Sequence, residues 1–65
     1  MDVTINGISM NFDDTYLFAI IVKIGLNPER VAVELNGKIV PRADFKSTAL
    51  KDGDSLEIVH FVGGG

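Results

Sequence analysis

The residues with the greatest chemical scope are the last three of the sequence, Gly63-Gly64-Gly65. Residues without side chains bury no apolar surface, so packing gives no reason for a small domain to carry them here. Their use would be of another kind. A run of glycine threads a narrow channel where any Cβ would clash, and presents its α-carboxylate at the bottom. A frayed terminus or an expression scar accounts for the same three residues equally well. A terminal carboxylate has a pKa of about 3.5, so at neutral pH it is an anion and a poor electrophile until something activates it. The other polar groups point to less. His60 is the only imidazole, and with no cysteine and no second histidine it reads as a bystander rather than a metal ligand or a base. Asp13, Asp14, Asp52 and Asp54 read as caps and turn residues, not as an acid/base pair. The clustered glycines precede no helix and therefore form no phosphate loop.

A chain of 65 residues makes one domain and buries only about 60% of the surface it exposes when unfolded, which leaves no room for an enclosed active site. At 46% hydrophobic and 23% charged residues it reads as globular rather than disordered. The absence of cysteine excludes disulfides, a thiol nucleophile and a Cys-based zinc site, and fits a reducing cytosol. A net charge of -3 with scattered bases argues against nucleic acid, which requires clustered Lys and Arg. The longest nearly apolar run, residues 16–24, is interrupted by Lys23 and is too short to span a bilayer. The expectation is a soluble, cytoplasmic protein.

The elements that must position the glycines follow in order. Val3 and Ile5 alternate with polar residues, Asn6-Gly7 suits a type I′ turn, and Ile8, Met10 and Phe12 alternate on the return strand. Leu17, Ile20, Ile21 and Ile24 have helical spacing, with Asp13 or Asp14 as N-cap and Gly25 as the stop. Phe18 and Val22 on the other side of this helix form an exposed patch or tuck under residues 27–30, partial burial being favoured. Val31, Val33 and Leu35 begin a second hairpin through Asn36-Gly37 to Lys38-Ile39-Val40, and Pro41 ends it. Residues 42–50 are irregular, anchored by Phe45 and Leu50. Asp52-Gly53-Asp54 then turns into a last strand over residues 55–62. One helix on a mixed four- to five-stranded sheet places that last strand centrally, parallel to the first. Residues 1–62 form the domain and residues 63–65 a flexible glycine tail.

With these pieces in order, the chain resembles the β-grasp, ubiquitin-like proteins, and specifically the ThiS family of thiamine-biosynthesis sulfur carriers. The matching residues are Asn36-Gly37, Val40-Pro41-Arg42, Asp52-Gly53-Asp54, Glu57-Ile58-Val59 and Val62-Gly63-Gly64-Gly65. The chain departs from the family pattern in the helix, where Phe18, Ala19 and Val22 stand at positions the family usually fills with acidic and polar residues. The resemblance implies an α+β β-grasp fold and a carrier that catalyses nothing. An E1-like adenylyltransferase would use ATP to adenylate Gly65, and a sulfur-donor persulfide protein would then supply sulfur to leave a thiocarboxylate. A thiazole synthase would receive it. Gly63 and Gly64 would let the tail enter each enzyme, and no cofactor or metal would be bound by the carrier itself.

Alternation along the last strand turns Leu56 and Ile58 toward the helix and Val59 and Phe61 outward. Val59, Phe61 and Val62, with Arg42, are the expected docking residues of a monomer that forms transient complexes. Against this, Phe61 folds over the edge of the core, and a lone surface base such as Arg42 is simply solvated. Three other readings stay open: a molybdopterin-type sulfur carrier, a ubiquitin-like modifier joined through Gly65, and an interaction module with an incidental glycine tail.

Overall fold

A computed structural model describes residues 1–62, and the expectations for Gly63, Gly64 and Gly65 lie outside the described residues. Five strands form one mixed sheet: β1 (Asp2–Ile5), β2 (Ile8–Asn11), β3 (Val31–Leu35), β4 (Lys38–Val40) and β5 (Ser55–His60), in the order β2-β1-β5-β3-β4. A single α-helix, α1 (Leu17–Lys23), crosses between the two hairpins, and 3-10 turns cover Pro28–Arg30 and Arg42–Asp44. As expected, β5 is central and lies parallel to β1 through Thr4↔Ser55 and Ile5↔Leu56. This is the β-grasp arrangement.

Both hairpin turns form as the Asn-Gly pairs require. Asn6 and Gly7 have φ of 50° and 83°, and Asn36 and Gly37 have φ of 50° and 86°. Two successive residues with positive φ match the twist of antiparallel strands. Alternation then sends Val3, Ile5, Val31, Val33, Leu56 and Ile58 to one face, where they meet Leu17, Ile20 and Ile21 of α1. Phe45 and Leu50 of the irregular segment close the core, both buried as expected. Ile8 is the exception among the inward-alternating residues, because β2 is an edge strand and leaves it 61% exposed.

The helix begins differently from the expectation. Neither Asp13 nor Asp14 caps it. Tyr16 occupies the N-cap with no side-chain bond, and the first-turn amides are met by main chain: Leu17 N–H donates to Thr48 O at 2.9 Å and Phe18 N–H to Phe45 O at 3.0 Å. Carbonyls of the 42–50 segment thus satisfy donors that normally need a capping side chain. Asp14 instead pairs with Lys23 at 3.0 Å. The stop is as expected. Gly25, at φ 89°, donates to Val22 O and Leu26 N–H donates to Ile21 O, the paired bonds of a Schellman ending. Among the described residues, no helix is long and apolar enough to cross a membrane.

Candidate functional site

The last strand delivers the chain to its glycines, so the site is built from β5 and its neighbours. Antiparallel register with β3 pairs Ala32 with Val59 and Glu34 with Glu57, and β4 adds Ile39 opposite Glu34. Cross-strand partners share a face, so Ala32, Val59 and Ile39 stand together on the side of the sheet away from α1. Glu34 and Glu57 share this face, with Glu34 between Ile39 and Glu57. Val59 is 60% exposed, Phe61 50%, Val62 81% and Ile39 78%. Phe61 therefore does not fold over the core edge. Its amide donates to Arg30 O at 2.8 Å, which keeps the main chain extended one residue past the end of β5.

Of the expected docking residues, the structure brings Val59, Phe61 and Val62 together at the outgoing end of β5. Arg42 is near this end but already engaged, since its Nη2 donates to Val31 O at 3.2 Å and Val31 is the register partner of His60. Ile39 was not among the expected residues. The two-residue turn would have found it, because pairing across Asn36-Gly37 fixes Leu35 opposite Lys38 and Glu34 opposite Ile39, which puts an isoleucine on the polar face.

Phe18 and Val22 have different fates. Val22 is half exposed. Phe18 is partly buried against the core and lines a groove of about 430 Å³ with Asn27, Pro28, Glu29, Arg42 and Lys46. Lys46 Nζ stands 4.8 Å from the Phe18 ring centroid, within cation–π range.

Two side-chain clusters grip β5 from its neighbours. Asn6 Nδ2 donates to Ile58 O at 3.0 Å while its Oδ1 accepts from Ile58 N–H at 2.7 Å. Asn36 Oδ1 accepts from Ser55 N–H, and its Nδ2 donates to Asp54 Oδ1 at 3.0 Å. Asp54 is the only buried charged residue among those described. Burial alone would raise its pKa, but hydrogen bonds from the Asn36 amide and the Lys51 N–H, together with the Lys51 charge, hold it below the ordinary carboxylate value. Asp52 accepts from Asp2 N–H at 2.7 Å. The aspartates of this turn are thus occupied in structure, as expected. His60 is exposed on the strand, and among the described residues no group of three or more histidines or carboxylates is placed to hold a metal ion.

The model of the ThiS family matches residues 3–65. Thiazole synthase of Paramagnetospirillum magneticum is 42% identical over 66 aligned positions, which take in all of this chain and 20% of that protein. An uncharacterised protein, ycf40, of Porphyra purpurea is 33% identical over all of this chain and 93% of its own length. The crystal structure of the thiamine biosynthesis protein ThiS from Geobacter metallireducens superposes with a TM-score of 0.81 at 35% identity, covering 100% of both chains. This chain spans one fifth of the length of the thiazole synthases it matches.

Proposed function

The chain belongs to the ThiS family, and from that premise we propose that it carries sulfur on the carboxylate of Gly65 for the formation of a thiazole ring. The carboxylate oxygen attacks the α-phosphorus of ATP in an E1-like adenylyltransferase, and pyrophosphate leaves. A persulfide sulfur on a donor protein then attacks the acyl carbon and AMP departs. A thiol reduces the resulting S–S bond and frees the thiocarboxylate. The recipient is a thiazole synthase. The carrier contributes no acid, base or cofactor to these steps. It contributes a docking face and a glycine segment able to enter more than one enzyme.

One observation carries the reading: the family match runs through Gly65, in a chain whose described residues leave exposed Val59, Phe61 and Val62 directly before the glycines. The likeness to thiazole synthases supports the choice of recipient over a molybdopterin pathway or a protein modifier.

Incubation with a candidate adenylyltransferase, ATP and a sulfur donor, followed by alkylation and fragment mass measurement, tests it. Localisation by fragmentation is required, because exchange of oxygen for sulfur adds nearly the same mass as oxidation of Met1 or Met10. The expected product carries an alkylatable sulfur at Gly65. Gly64→Ala and Gly65→Ala are expected to lose most of this product while melting like the parent. Normal thiocarboxylate formation by either variant contradicts the role given to the glycines, and an unmodified parent chain contradicts the carrier reading.

A further inference from the structure

Strand β5 runs further than the strand beside it. Pairing with β1 stops at Ile5↔Leu56, where the Asn6-Gly7 turn carries the chain away. The Asn6 side chain then takes the place of the next strand residue, since its amide both donates to and accepts from the main chain of Ile58. Past Ile58, nothing from the first hairpin is paired with β5 among the described residues.

The direction of the remaining main-chain groups follows from the ladder. Odd-numbered residues of this segment face β3, as shown by Asn36 N–H on Ser55 O and Phe61 N–H on Arg30 O. Even-numbered ones face β1, as shown by Thr4 N–H on Asp54 O and Asn6 N–H on Leu56 O. The N–H and C=O of His60 and the N–H of Val62 therefore point to the vacant side beyond Asn6. The Val31–His60 pair is the non-hydrogen-bonded kind by this alternation, and among the described residues no turn, loop or side chain bonds these groups. This is a short open strand edge in the middle of a sheet, immediately before the glycines.

Resting on the carrier reading above, we propose that this edge is completed by an extended main-chain segment of the adenylyltransferase, which pairs with residues 60–62 strand to strand. An unpaired edge offers alternating donors and acceptors at strand spacing, which another extended chain matches group for group. Val59 and Phe61, exposed on either side of His60 in sequence, flank the added strand. The Asn6 amide ends the internal ladder and so fixes where the added strand begins. Pairing of this kind aligns the segment before Gly63 as a straight strand, whatever the side chains of the partner.

His60→Pro tests the edge directly. Proline removes the His60 amide, which the domain itself does not use, and is tolerated at unpaired strand positions. Affinity for the adenylyltransferase with magnesium and ATP is expected to fall about tenfold, as loss of one hydrogen bond with obstruction of its neighbour implies. His60→Ala, which keeps the amide, is expected to bind within about twofold of the parent. In the free protein, hydrogen exchange is expected to be fast at His60 and slow at Phe61, and enzyme binding should slow His60. Unchanged binding by a folded H60P, or equal loss in H60P and H60A, overturns the proposal. So would a concentration-dependent dimer abolished by H60P, which would assign the edge to a second copy. If H60P fails to fold, Val62→Pro, beyond the last paired residue, gives the same reading. Failure of the enzyme to adenylate the parent chain defeats the carrier reading instead, so the two failures are distinguishable.

Discussion

Asn6 and Asn36 hold the left-handed backbone that a type I′ turn needs, and each also turns its amide onto the central strand. The sequence shows the first use and hides the second. Asn-Gly is a local signal, whereas the bond from Asn6 to Ile58 spans 52 positions and exists only once β5 lies beside β1. Asp54 shows the same limit: its place in a turn is legible, its burial is not. Its lowered pKa has a definite consequence. A carboxylate held below its unfolded value of about 3.9 stabilises the fold fully above that pH, and the contribution is lost as pH falls through the folded value. Thermal melts should therefore show Asp54→Asn about 1–3 kcal/mol less stable at pH 7, since an amide has one acceptor oxygen and its NH2 cannot receive the other of the two bonds. The gap between variant and parent should narrow steadily below about pH 4. A gap that is constant with pH would mean that the charge contributes nothing.

The helix divides its residues sharply over one turn. Ile21 is fully buried and Val22, next to it, is 51% exposed. Ile21→Ala should cost about 2–5 kcal/mol, comparable to the whole stability of a domain this small, so urea melts should find it largely unfolded. Val22→Ser should change the stability by no more than about 0.5 kcal/mol. The apolar stripe and the Gly25 stop were readable because helical spacing and positive φ are local properties. The start was not, because Thr48 and Phe45 supply the capping carbonyls from a segment without periodicity. Phe18 was half legible for the same reason. Its partners Pro28 and Lys46 come from two irregular stretches on either side of the second hairpin.

Across the whole molecule, one face is closed by α1 and the other carries apolar residues at the outgoing end of β5. Strand order and the outward turn of Val59 and Phe61 followed from alternation and the crossover, but Ile39 required the hairpin register to be carried through. If this face docks the activating enzyme, Val59→Asp or Ile39→Lys should weaken binding at least tenfold by calorimetry and leave the melting temperature near that of the parent, since both side chains are already in water and a lysine at 39 faces Glu34. Equal losses of binding and stability would mean that the residues serve the fold alone. The central place of β5 also bears on how the protein is made. Synthesis proceeds from the N-terminus, so the middle strand is the last of the five to emerge from the ribosome. Until it does, the two hairpins have no strand in common, and Val3 on one side and Val31 and Val33 on the other lack Leu56 and Ile58 between them. A nascent chain broken off before β5 lacks the strand that joins the two hairpins and cannot assemble the five-stranded sheet. Quality control is thus written into the strand order: any copy that has folded has also been translated up to the strand that leads to the glycines.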